Sequence, residues 1–384
     1  MKKLLLTGIV AVSFSSASFA QFYIAAGGGY GWPGLIKTGT IKGFQPYLSD
    51  NVSEIGKVLD PAYAGIVDMA DVTRTKGRFE TDGSGKQNYV DSIASYKKVK
   101  GSYGQGGNFT AGLGYKINKW VAVEIGFNYL WGKEISSNQL LDNLYTLGRN
   151  TSIVTKTKSN GLSLMPSVVI YGANKSKFTP YVRLGIALPV YGKTVHDINV
   201  TSPEPPALLG YRNLVSNLRV ETASTVSVGF QGALGISYEP LKFMNVFAEI
   251  NGAALTVRAK EAVLTKYTID AYDIALDKQT SADRIAGTGN LPGLLGSLTP
   301  NTPLTNYSKV VEFVDVLDNS SNAQDFGKKR DVTKSGQAGY VDESKNHQQQ
   351  RVTAPLDAFG FNVGVRFLLS KETLGIKKKE KVVN

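Results

Sequence analysis

Between residues 21 and 369 the chain is built from short runs that alternate apolar and polar side chains, and the connections between runs alternate between short and long. A period of two marks a strand with one apolar face, and tight turns between such runs mark hairpins. The clearest hairpin joins GGNFTAGLGYKI to WVAVEIGFNYLWG through Asn118-Lys119. In its first arm Phe109, Ala111, Leu113, Tyr115 and Ile117 share a face; in its second, Val121, Val123, Ile125, Phe127, Tyr129 and Trp131 do. Opposite them lie Ala122, Glu124, Gly126, Asn128 and Gly132. Two further pairs follow, LSLMPSVVIYG with FTPYVRLGIALPVYG and TVSVGFQGALGISY with FMNVFAEINGAAL. A lone first run, QFYIAAGGGYGW, and a lone last run, LDAFGFNVGVRFLL, bring the number to eight.

The long connections fall near 35–105, 136–157, 193–218 and 268–352. A bacterial outer-membrane barrel has short periplasmic turns, long extracellular loops and both termini in the periplasm, which is the rhythm seen here; nothing forces a soluble sandwich into it. The aromatic residues give a second reading of the same kind. Tyr115, Trp120, Phe178, Tyr238, Phe243 and Phe367 sit beside the tight turns or the chain's end. Tyr30, Trp32, Tyr129, Trp131 and Tyr191 sit towards the long connections. A barrel strand needs roughly 9–11 residues to cross a bilayer, and aromatic girdles mark both interfaces. The expected fold class is therefore all-β: a transmembrane antiparallel up-and-down barrel of about eight strands.

The last run carries Asn362-x-Gly364-x-x-Phe367-x-Leu369, the polar-x-Gly-x-x-hydrophobic-x-hydrophobic pattern of a barrel-assembly signal. With the strand rhythm, it makes the chain resemble the small OmpA/OmpX-type outer-membrane barrels, the "porin family" or "outer membrane β-barrel domain" proteins. The resemblance covers the strands and not the long connections. It implies residence in the outer membrane, contact with outer-membrane lipid and lipopolysaccharide, and handling by the barrel-assembly machinery. The pattern does not close the chain: residues 370–384, SKETLGIKKKEKVVN, form a lysine-rich tail expected in the periplasm.

Residues 1–20 read as a Sec-type signal peptide, with Lys2 and Lys3, an apolar stretch from Leu4 to Val12, and the small residues of Ser18-Phe19-Ala20. The barrel with its loops then occupies 21–369. No later apolar run approaches the roughly 18 residues of a membrane helix. Absence of cysteine excludes disulfides, thiolate metal sites and cysteine nucleophiles. The net charge of +12 is dispersed rather than gathered in a stripe, so no nucleic-acid partner is expected.

An eight-stranded barrel has an interior that side chains can fill. Alternation turns Glu124, Arg183, Glu249 and Arg366 inwards, with Tyr181, Asn128, Asn245, Asn251 and Asn362. Buried charges must be paired, so at least one Glu–Arg bridge is expected to form a polar plug. Several runs exceed the membrane thickness, notably the one from Phe243 to Ile269, and should project as a wall whose edges suit partner strands. Val52, Ile55 and Leu59, followed by Asp60-Pro61, predict short surface helices. Asp270, Asp273 and Asp277 read as a solvated helix face rather than a calcium loop. The two histidines, His196 and His347, lie in no motif with a serine, so neither catalytic residue nor cofactor nor metal is expected. The expected role is an anchor for large surface loops with a structural or surface-binding function, adhesin- or receptor-like, towards an unidentified ligand. The alternative is a porin-like conduit for small or hydrophobic solutes.

Overall fold

A computed structural model describes residues 21–33, 39–45, 65–142, 150–203, 212–273, 278–285 and 310–369, with short gaps inside these ranges. Eight strands form the barrel: β1 (Gln21–Pro33), β2 (Gly106–Lys116), β3 (Val121–Gly132), β4 (Asn150–Tyr171), β5 (Phe178–Pro203), β6 (Gly229–Leu241), β7 (Met244–Ala254) and β8 (Ala358–Leu369). Each pairs antiparallel with the next, and β8 pairs with β1 from Phe22/Leu369 to Pro33/Ala358, so the wall is closed. Passing from partner to partner around the wall from Tyr23 leads back to β1 at Pro33, ten residues on. Such a stagger goes with strands tilted by roughly 35–45° from the barrel axis.

The turns at one end are tight. In the β2–β3 turn the Asn118 side-chain oxygen accepts from the amides of Trp120 (2.7 Å) and Val121 (2.9 Å), which is why asparagine suits that position. At the other end the chain makes its long excursions. The outward positions of the barrel band carry only Gly, Ala, Pro, aliphatic, methionine and aromatic side chains. Leu113, Ile125, Leu184, Phe230, Leu234, Ile250 and Val363 among them are more than half exposed. A band this apolar is unfavourable in water and suited to lipid.

Four strands continue far beyond that band. β4 and β5 run for 22 and 26 residues, the strand Arg212–Thr225 leads down into β6, and Thr256–Asp273 carries β7 upwards past Leu255. Together they form a half-pipe whose inner face buries Ile153, Ile198, Val200, Leu218, Val220 and Leu264. A β-bulge at Val190 is needed to build it, because the β4–β5 register shifts between Leu162/Tyr191 and Ser163/Pro189. Below the bulge the odd-numbered residues of β5 face inwards; above it the even-numbered ones do, bringing in His196, Ile198 and Val200.

The long connections are therefore far richer in strand than the sequence reading made them. The first contains the hairpin Ala70–Thr81 with Gln87–Lys98, and the last contains Val310–Val314 paired in parallel with His347–Gln350. Asp270 and Asp273 lie in the strand Thr256–Asp273, not on a helix: their backbone groups are spent on pairing with Val215 and Arg212. No α-helix occurs among the described residues. The 1–20 leader, the 49–61 helices, Asp277, most of the 285–306 cover and the 370–384 tail lie outside the described residues.

Candidate functional site: a plugged lumen beneath a capped mouth

Alternation dictates what fills the lumen, and the inward side chains form layers. Nearest the tight turns, the rings of Tyr23, Tyr171, Tyr181 and Phe247 pack with Ala122, Val169 and Leu368. Glycines opposite two of these rings make the arrangement feasible. A Cβ on Gly114 would lie 2.0 Å from the Tyr23 ring, and one on Gly235 would lie 2.4 Å from that of Tyr181. Into this layer β8 inserts Arg366, which is 2% exposed. Its guanidinium lies 4.4 Å from the Tyr181 ring centroid, 4.5 Å from that of Phe247 and 6.0 Å from that of Tyr23. Its Nε and Nη1 donate to no protein acceptor, so the rings supply its stabilisation as cation–π partners.

One layer further in, Arg183 lies between two carboxylates. Its Nη1 donates to Glu124 Oε1 at 3.1 Å and its Nη2 to Glu249 Oε1. The remaining oxygens are taken by phenols: Tyr23 donates to Glu124 Oε2 and Tyr181 to Glu249 Oε2, each at 2.9 Å. Asn362 Nδ2 adds a third donor to Glu249, at 3.3 Å. Of the four charged residues that alternation turned inwards, three form one network and Arg366 stands apart in its aromatic cage. Asn245 is buried in the lumen as well, while Asn128 and Asn251 line the space above the network.

That space is a cavity of about 120 Å³. The long connections close over it. Ile41, Met69, Tyr103 and Ile135 make a second apolar cluster, with Val99, Ala354 and Leu356 against it. A backbone bond ties the first connection to the end of the last, Tyr103 N donating to Pro355 O (3.1 Å), and Leu356 N donates to Leu255 O above β7 (2.8 Å). Beside the cap, His196 of the half-pipe is sealed, its Nδ1 3.0 Å from Thr157 Oγ1, and burial pushes its pKa down to about 3. His347, also buried, contacts Glu343 Oε2 at 2.8 Å. Among the described residues no group of acidic, histidine or cysteine side chains could hold a metal.

On the outer surface the aromatic residues form two sets. At the turn end Phe22 and Tyr115 are 4.9 Å apart between ring centroids and Phe178 and Tyr238 4.8 Å, with Trp120, Phe243 and Phe367 nearby on the same rim. At the other end Tyr30, Trp32 and Phe361 form a chain of rings (5.4 and 5.7 Å), Tyr129 contacts Trp131 (4.9 Å), and Tyr191 stands exposed. In β8, Asn362 points inwards and Phe367 outwards; Gly364 lies opposite Gly27 of β1, and Leu369 opposite Phe22.

Comparison with known protein families matches residues 63–276 to the outer membrane protein beta-barrel domain. The chain belongs to that family. The match spans β2 to β7 complete, along with the half-pipe strands, and it places the protein in the outer membrane. No curated protein matches the sequence. Within the family's barrel, the half-pipe is the wall that the over-long runs predicted, and the strands of the cap are what sequence reasoning left as loop. One signal for them was present: Asp82-Gly83 between two alternating runs is a strong short-range hairpin mark, and it lies where Ala70–Thr81 turns into Gln87–Lys98.

Proposed function

We propose that the protein is a closed outer-membrane anchor that displays a rigid β-structure at the cell surface for recognition, and that it is neither a general porin nor an enzyme. The observation that carries this reading is the Arg183 bridge to Glu124 and Glu249, locked by Tyr23 and Tyr181. It fills the cross-section of a barrel too narrow for an aqueous channel, which comes with about sixteen strands. The tight turns and both termini face the periplasm, and the half-pipe and cap face outwards. The apolar band supports contact with membrane lipid and lipopolysaccharide, and the Asn362–Leu369 pattern supports delivery by the barrel-assembly machinery. Against an enzyme stand the histidines: His196 is sealed against Thr157, and His347 is buried against Glu343.

For recognition, the favoured surface is the edge strand Gln87–Lys98, whose outer edge pairs with no described strand apart from Lys98's neighbours near residues 39–41. Such an edge takes an extended partner segment by strand addition. In planar bilayers the purified protein should give no stable single-channel steps; large, long-lived steps would refute the closed anchor. Proteolysis of intact cells should cut in the long connections and leave the barrel band. Cuts at the tight turns of intact cells would invert the topology.

A further inference from the structure

At the far side of each of the three tight turns a lysine is followed by an aromatic residue: Lys119-Trp120, Lys177-Phe178 and Lys242-Phe243. The three rings are exposed, and they stand on the same rim as Phe22, Tyr115, Tyr238 and Phe367. The Lys119 ammonium lies 5.2 Å from the centroid of the Trp120 ring, so the cation keeps to the height of its aromatic neighbour. Lys116, at the end of β2, lies 5.2 Å from the ring of Tyr171. Among the described residues of this end, Glu239 is the one acidic side chain beside these four lysines. No ion pair of the described residues includes Lys119, Lys177 or Lys242, whereas above the band Lys98, Lys156, Lys193 and Arg219 each have a carboxylate oxygen within 3.5 Å.

Aromatic rings at a membrane surface settle at headgroup level, and lysines beside them extend their ammonium groups into the phosphate layer. That depth decides what the unpaired charge meets. A soluble polyanion has no use for the rings. A lipid satisfies both groups, with its glycerol region and upper chains against Trp120, Phe178 and Phe243 and its phosphate against the neighbouring lysine. A zwitterionic headgroup brings its own cation along with the phosphate and gains little. A headgroup of net negative charge gains about a factor of five for each lysine near the surface.

We infer that the turn end of the barrel is a collar for anionic phospholipid, with a net negative headgroup such as that of phosphatidylglycerol held at each of the three Lys–aromatic steps. The inference deepens the membrane contact proposed above, and it takes from the proposed topology only the leaflet, the periplasmic one, that supplies the lipid. Such a collar fixes the height of the plugged barrel in the bilayer by charge as well as by its apolar band.

The test keeps Trp120 as the only tryptophan, through Trp32→Phe and Trp131→Phe, and places the full chain in vesicles of phosphatidylcholine mixed with phosphatidylglycerol. Each lipid in turn carries dibrominated chains, which quench a tryptophan that they touch. At equal mole fraction, brominated phosphatidylglycerol should quench Trp120 as if enriched about five-fold over brominated phosphatidylcholine. Lys119→Gln, Lys177→Gln and Lys242→Gln together should remove the preference, and arginine at the same positions should keep it. Equal quenching by the two lipids, or a preference unchanged in the glutamine variant, would overturn the collar. Free glycerol phosphate in the buffer should leave the preference intact; if it competes the lipid away, the site belongs to soluble phosphate and the inference fails. Both leaflets of the vesicle have one composition, so the result is independent of which way the barrel is inserted. The topology is tested separately, by proteolysis of intact cells.

Discussion

Replacing Arg183 by methionine keeps most of the side-chain volume and removes the cation that joins β3, β5 and β7 across the lumen. What remains are two carboxylates whose side chains are 3% and 1% exposed, each still accepting one phenol hydrogen bond. Removing one partner of a buried ion pair costs about 3–5 kcal/mol, because the surviving charge is left uncompensated. Two carboxylates are stranded here, but Tyr23, Tyr181 and Asn362 continue to donate to them, so the same range applies. That is roughly two to three and a half decades in the folding equilibrium constant. Adding Glu124→Gln and Glu249→Gln removes the stranded charge, and the triple variant should recover all but about 1–2 kcal/mol, since a neutral hydrogen-bonded plug replaces an ionic one. The assay is urea unfolding of the protein in lipid vesicles, with the folded fraction read from the shift in unheated gel mobility. A single substitution costing less than 1 kcal/mol, or a triple variant no more stable than Arg183→Met, would refute the account of the plug as one energetic unit.

Protonation supplies a second prediction, for the half-pipe outside the membrane. His196 is held neutral down to about pH 3, whereas an unfolded histidine takes up its proton near 6.5. Its contribution to stability is therefore present above pH 6.5 and is lost as pH falls from there, about 2 kcal/mol between pH 7.5 and pH 5. The protection of residues 194–200 against hydrogen exchange, corrected for the intrinsic exchange rate at each pH, should fall about 30-fold over that range in the native chain and not in His196→Gln. On the outward face, Leu234→Arg places a cation in the apolar band and should cost about 2–4 kcal/mol if Leu234 is near mid-bilayer, by the same urea titration. Gly114→Ala should be destabilising by about 1–3 kcal/mol despite the small change, because its Cβ meets the Tyr23 ring; pairing it with Tyr23→Leu should recover part of the loss. By contrast, Asp197→Ala, which breaks the exposed Arg219–Asp197 pair, should change stability by less than about 1 kcal/mol.

Much of the barrel could be read from the chain because a barrel strand writes its two environments into alternate residues. Glu124, Arg183, Glu249 and Arg366 stood out as charges on the face opposite an unbroken apolar one, and strand parity alone sufficed to orient them. What parity could not supply was distance around the lumen. That Arg183 serves both glutamates while Arg366 settles among Tyr23, Tyr181 and Phe247 depends on the stagger of the strands, a property of the closed sheet. The half-pipe was legible as excess strand length, yet its inner face was not, because the bulge at Val190 inverts the parity that had been counted from below. The acidic run Asp270–Asp273 reads as a helix by spacing and is a strand by pairing: Arg212, Asn213, Leu214 and Val215 offer it a ready edge, and tertiary context outweighs a weak local pattern. The cap was the least legible part, since Ile41, Met69, Tyr103 and Ile135 come from distant stretches with no shared periodicity.

The continuity of β4 and β5 from lipid into solvent has a mechanical meaning. Their ladder runs from Tyr171/Tyr181 to Ser152/Thr201, with no linker between the part that sits in the membrane and the part that stands above it. Inter-strand hydrogen bonds in an antiparallel pair lie perpendicular to the strands. A pull on the exposed wall along its strands therefore loads that ladder in shear, many bonds at once, instead of peeling them one by one. Tension at the surface is carried into the barrel itself, so the protein should resist detachment until the wall as a whole gives way.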